Sequence, residues 1–258
     1  MRVVPEVTTV NVVGDSHAEV TFRNVLLERE GQIINTETVY IESIEAAKFY
    51  ENGEVIRPIL TSLTVQRILL ADRVKGDNGD VTFHLRAHPS SAGRPTLFSV
   101  GDNDLRGILL AQIASYDFRI PWRSDSEQPP TVPSLKPASF EQIESFVRKL
   151  LTPYVTGLGY LRSLGLSGLA VLNIAPPTVD DDEYERFNGY RTHLHTRYKA
   201  ALLMNDTLRK LATQNGFTFI DTWGAVTENG YLDPRYYLDG THLNRQAAAI
   251  AIEALLSR

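Results

Sequence analysis

The chain has 258 residues, 43% of them hydrophobic, and sets 26 Lys and Arg against 31 Asp and Glu for a formal net charge of -5. That balance argues against a nucleic-acid surface or a polybasic membrane patch, and no apolar run approaches the ~20 residues that a membrane-spanning helix needs. With no cysteine in the sequence, a disulfide framework, a thiolate nucleophile and a cysteine metal site are all excluded.

Residues 8–13, rich in Thr and Val, read as a first strand, and 17–29 as a helix entered at Ser16. Residues 37–41 alternate as a strand, 45–50 form a short helix stopped at Asn52-Gly53, and 58–72 read as a further helix. The stretch 81–86 alternates cleanly and is separated by Pro, Gly and Ser from a strand at 96–100, so 76–95 reads as an inserted hairpin. Pro121, Pro129, Pro130, Pro133 and Pro137 make 117–137 a loop, placed to serve as a lid. Ser139 and Gln142 form a capping-box pattern, and Phe140, Ile143, Val147 and Leu150 share one face of the helix that follows; Pro153 is expected to kink or end it. Residues 169–174 are the continuous apolar run of a buried parallel strand. A long helix over 182–214, a strand at 217–221 and a last helix over 245–256 complete the pass. About five apolar strands alternating with helices to the end predict a single α/β domain over 1–258, with a doubly wound, mostly parallel sheet.

Three short motifs carry chemistry. Gly14-Asp15-Ser16-His17 follows the first strand, which presents the Ser16 hydroxyl at the sheet edge where a helix starts. Asp239 stands three residues before His242, spaced to accept one imidazole N–H, fix the tautomer and leave the other nitrogen free to take the serine proton. Gly101-Asp102-Asn103-Asp104 follows another apolar strand, where the Asn103 amide can donate to a developing oxyanion. In open α/β sheets ligands bind beyond the carboxyl ends of the strands, the edge at which all three motifs are expected.

In this order the motifs resemble those of the SGNH/GDSL hydrolases, serine esterases and lipases on a flavodoxin-like fold, and the resemblance spans residues 8–257. It implies a three-layer α/β/α sandwich, Ser16 as nucleophile, Asp239 and His242 as the rest of the triad, and Asn103 with the Ser16 N–H in the oxyanion hole. The Gly-x-Asn-Asp pattern is matched letter for letter, and Leu243-Asn244 continues the last motif as the family does. Two departures stand out. His17 occupies the position of a common leucine, and the family's second-motif glycine, another oxyanion donor, has no counterpart; by order its place falls at Glu42 or Ser43, whose backbone N–H groups are the candidates.

Arg106, just past the oxyanion motif, reads as a contact for a substrate carboxylate or phosphate or as a surface salt-bridge partner, and His17, beside the nucleophile, as a packing or capping residue or a substrate contact. Tyr231, Tyr236 and Tyr237 precede the last motif, as pocket walls or core. His193 and His195 lie two apart on a predicted helix and point away from one another, so no metal site is expected, and no cofactor is implied. Three functions stay open: a carboxylester hydrolase acting on a small-molecule or carbohydrate ester, for example O-acetyl groups; an acyltransferase on the same triad; and a binding module that has lost turnover. The first strand begins within a few residues of Met1, leaving no room for a secretory leader, so a cytoplasmic protein is expected. These motifs specify no oligomeric state.

Overall fold

A computed structural model describes residues 7–42, 44–75, 81–239 and 241–258. Its centre is a six-stranded sheet built from β1 (Val7–Gly14), β2 (Leu26–Arg29), β3 (Gln32–Tyr40), β6 (Thr96–Ser99), β7 (Leu169–Leu172) and β8 (Thr218–Ile220). Their order is β8-β7-β6-β1-β3-β2. All neighbours are parallel except β2, which pairs antiparallel with β3 at one edge. The five parallel strands, taken in chain order, are arranged 2-1-3-4-5, the flavodoxin-like winding. A separate antiparallel hairpin, β4 (Leu69–Lys75) with β5 (Val81–Ala87), lies outside this sheet.

Alternation along β1 sorts its side chains to two cores. Val10 and Val12 pack with α1 (Ser16–Phe22) and α6 (Arg245–Leu256), through Ala18, Phe22, Ala248 and Ile252. Val13 faces the other way, into a larger core shared with α2 (Arg57–Val65), α3 (Phe140–Ser163), α4 (Asp181–Asn188) and α5 (Leu194–Gln214). Helices therefore cover both faces, giving the three-layer α/β/α sandwich.

Several elements depart from the sequence reading, each for a local reason. The first helix stops at Phe22 because the chain takes a left-handed turn at Asn24 (φ 53°), and the expected helical tail is instead the edge strand β2. Helix α2 ends at Val65; the reversal at Arg67 (φ 58°) sends the following residues into β4. The hairpin therefore begins upstream of 76–95, of which residues 76–80 lie outside the described set. The long helix expected over 182–214 is two helices, α4 and α5, parted at Gly189 in the left-handed conformation (φ 74°). Pro153 neither ends nor splits α3, which continues to Ser163.

Segment 117–137 has its ends clipped together, Tyr116 and Asp117 pairing with Lys136 and Pro137. It is fastened to α5: the buried Lys199 ammonium donates to Asp117 Oδ1 (2.7 Å) and Pro130 O (3.1 Å), and Trp122 and Arg123 both donate to Asp206.

Gly14 closes β1 where the sheet leaves no space for a side chain. A Cβ there would stand 2.2 Å from the Ser99 carbonyl oxygen and 2.8 Å from Ala18 Cβ. Gly14→Ala is expected to cost about 3 kcal/mol of stability or more, as overpacking against backbone does. Urea unfolding checks this, and a variant as stable as wild type would show that β1, β6 and α1 are not in such close contact.

Candidate active site

The carboxyl end of β1 runs through Gly14 into α1, whose N-cap is Asp15; its Oδ1 accepts the His17 N–H at 2.9 Å. This sharp passage from strand to helix puts Ser16 on the first turn. On the far side of the chain, the loop before α6 is organised by Asp239. Its Oδ1 accepts the backbone N–H groups of Thr241 (3.0 Å) and His242 (2.8 Å), and its Oδ2 lies 2.8 Å from His242 Nδ1. Asn244 then caps α6, accepting from Gln246 N and Ala247 N.

The two regions meet. His242 Nε2 stands 3.2 Å from Ser16 Oγ, across 226 positions of sequence, at the outer edge of direct proton transfer. Burial raises the Asp239 carboxyl, but the hydrogen bonds from the His242 imidazole and from the His242 and Thr241 N–H groups outweigh it and hold Asp239 below the ordinary carboxylate range. It is therefore ionised at neutral pH, oriented to stabilise an imidazolium.

Each residue of the third motif reaches a different partner. Gly101 turns the chain with φ 116°, a conformation that favours glycine. Asp102 Oδ2 lies 3.2 Å from His17 Nε2 and also accepts from Arg106 Nε. The Asn103 amide donates one hydrogen to Ile44 O at 3.2 Å, and its second N–H has no partner among the described residues. Asp104, fully buried, accepts from Ala46 N (2.6 Å) and Ala47 N (3.0 Å), and burial pushes its carboxyl up to about 6 against the pull of those two bonds. The segment then enters a π-helical turn, Asp104–Leu110.

The remaining candidates fall into two groups. Glu42 is exposed just past β3, whose last pairing with β1 joins Gly14 to Tyr40, after which Ile41 N donates to Gly14 O. Ser43 lies outside the described residues. Arg106 borders a hollow of about 340 Å³ together with Asn103, Glu45, Phe187, Asn188 and Tyr190, and no residue of 117–137 walls it. His17, by contrast, is not displayed to a substrate: it is only 6% exposed, with Nε2 2.7 Å from Thr241 O and its ring 4.6 Å from that of His242. Burial lowers its pKa, but the Asp102 and Asp15 carboxylates prevail and the net shift is upward, towards an imidazolium.

Tyr231 stacks on Tyr198 (5.0 Å), while Tyr236 and Tyr237 pack against the small core around Val226, Leu232, Leu243 and Ala247, so these rings serve packing. His193 caps α5, its Nδ1 accepting from His195 N. Among the described residues, no group of three or more His, Asp or Glu is placed to hold a metal ion. Sequence reasoning named Asp102 only as a letter of its motif; the acidic bridge it forms between His17 and Arg106 is tertiary and leaves a trace only in the i, i+4 spacing of Asp102 and Arg106.

No family model and no curated protein sequence matches the chain. Solved structures similar to it include a GDSL-like lipase from Bacteroides thetaiotaomicron VPI-5482, at 12% identity and a TM-score of 0.46 over 97% of this chain and 86% of that one. An extracellular lipase from Streptomyces rimosus is similar at 10% identity and a TM-score of 0.48, over 97% of this chain and 98% of that one. A variant of an acetyl-xylooligosaccharide esterase from Geobacillus stearothermophilus is similar at 10% identity and a TM-score of 0.48, over 98% of this chain and 94% of that one.

The Asp239 shift has a consequence for stability. A folded-state pKa below the unfolded value of about 3.9 adds stability that is present above that pH and is lost as pH falls through the folded value. The stability gap between wild type and Asp239→Asn is therefore expected to be widest near neutrality and to close on acidification below about pH 4. Thermal melts across that range measure it; a gap that stayed constant would contradict the assignment.

Proposed function

We propose that this chain is a serine hydrolase of the SGNH/GDSL type, which cleaves carboxylic esters through an acyl-enzyme on Ser16. The observation that carries the reading is the unbroken run of contacts from Asp239 through His242 to Ser16. An isolated Gly-Asp-Ser turn is commonly only a helix cap, but one whose hydroxyl meets an imidazole backed by a carboxylate has the parts of an activated nucleophile.

In the proposed reaction Ser16 Oγ attacks the ester carbonyl as its proton passes to His242 Nε2, and Asp239 stabilises the imidazolium. His242 then gives that proton to the departing alkoxide, leaving the acyl group on Ser16. Water, deprotonated in turn by His242, attacks the acyl-enzyme and releases the carboxylic acid. The oxyanion is assigned to the N–H of the Asn103 amide that does not bond Ile44 O, the Ser16 N–H, and a backbone N–H at Glu42 or Ser43.

The hollow beside Asn103 supports a small polar ester as substrate. Phe187, 44% exposed, and Tyr190 offer ring faces, while Asn188, Glu45 and Arg106 offer donors and acceptors. That pairing of aromatic surface with hydrogen-bonding groups suits an O-acetylated sugar.

A fluorophosphonate probe is expected to label the wild-type protein at Ser16 and to leave Ser16→Ala unlabelled. With p-nitrophenyl acetate, Asn103→Ala should lower kcat by about 10²–10³ and Asp239→Asn by about 10⁴. A folded wild-type protein that takes no label and releases no p-nitrophenol would sink the proposal.

A further inference from the structure

We infer that His17 and Thr21 are positioning residues: from one face of α1 they grip the backbone on both sides of His242, and so set its distance from Ser16 on that same helix. The inference rests on the reading of Ser16 and His242 as nucleophile and base.

The contacts are specific. His17 Nε2 lies 2.7 Å from Thr241 O, and Thr21 Oγ1 donates to Leu243 O at 3.0 Å. Thr241 and Leu243 are the two neighbours of His242, and residues 17 and 21, four apart, share one face of the helix that begins with Ser16. The carbonyl between them is fixed too, since His242 O accepts from Leu238 N at 2.9 Å. Three consecutive carbonyls are therefore held, two of them by the helix that carries the nucleophile.

Both side chains face acceptors at these positions. The neighbours of His17 Nε2 are a carbonyl oxygen and, at 3.2 Å, the Asp102 carboxylate, both acceptors, so this nitrogen carries a proton in either charge state. A helical threonine commonly returns its hydroxyl to the carbonyl four residues back, and Thr21 instead sends it across to the catalytic loop. Thr21 is 1% exposed, so water does not replace a partner lost there. Because a displacement of about 1 Å can cost about 10² in rate, a small relaxation of this loop is enough to matter.

The test uses variants that delete or keep the donor with little change of shape. Thr21→Val should lower kcat for p-nitrophenyl acetate by about three- to tenfold, the loss expected for one buried hydrogen bond. KM should stay near the wild-type value, fluorophosphonate labelling of Ser16 should slow in the same proportion, and Thr21→Ser should restore both rates. His17→Phe, which removes the donor, should fall further than His17→Gln, whose amide can still reach Thr241 O. Wild-type kcat in a folded Thr21→Val, a change in KM alone, or a loss that Thr21→Ser fails to repair would overturn the inference. Should Thr21→Val not fold, the two His17 variants decide, equal rates in both counting against it. A wild-type protein inert to probe and ester removes the nucleophile reading and this one with it, whereas an active enzyme indifferent to these substitutions removes this one alone.

Discussion

The carboxylate of Asp239 receives three N–H groups, two from the backbone of Thr241 and His242 and one from the His242 imidazole, and the geometry of the site depends on that fan of bonds. The backbone pair folds the loop tightly enough that residue 242 comes back over residue 239. The imidazole bond then fixes which nitrogen faces outward. One charged group thus shapes the loop and selects the tautomer, and in the proposed reaction it balances the charge His242 gains. A neutral amide could satisfy part of this set but could not supply the charge.

The fan orients His242 but does not bring it to Ser16; the sheet does that. β1 sits in the middle of the order, with β3 on one side and β6 on the other, so the chain winds outward in both directions from its end. That is the switch point at which an open α/β sheet has a crevice rather than a covered edge. Ser16 leaves β1 there, residues 101–104 leave β6 there, and α6 packs against α1 and so returns the Asp239 loop to the same place. Closeness at the crevice comes from Gly14, where the absence of a side chain lets β1, Ser99 and Ala18 meet.

How much of this could be read from letters depended on whether the deciding interaction was local. β1, α6 and the buried strand at 169–172 were legible because their patterns are long or uninterrupted, and their ends carry caps such as Asn244. Residues 26–29 were misread as helix because Val25-Leu26-Leu27 is as apolar as a helix face, and their strand identity comes from pairing with β3 across a turn at Glu30-Gly31. The division of α4 from α5 rested on the single Gly189, outweighed in the sequence by charged, helix-favouring neighbours. The candidate residues Ser16, Asp239 and His242 were legible because they lie in short motifs with fixed spacing. The partners of His17 were not, since nothing near it in sequence announces Asp102 or Thr241.

Those partners explain why a buried charged cluster can persist beside the proposed catalytic residues. His17, Asp102 and Arg106 would each be costly to bury alone, but the Asp102 carboxylate lies between the other two, 3.2 Å from His17 Nε2 and accepting from Arg106 Nε. Asp102 ties the third motif to α1, while Asn103 ties it to Ile44 and Asp104 to the backbone of Ala46 and Ala47, in the segment after β3. Three successive residues are thus anchored to two separate parts of the fold. The Asn103 amide, in the middle of the three, is held on both sides, and in the proposed reaction a donor that need not reorganise is worth most where negative charge develops in a partly buried site. His17 therefore links the third motif, through Asp102, with the loop before α6, through Thr241 O and the His242 ring.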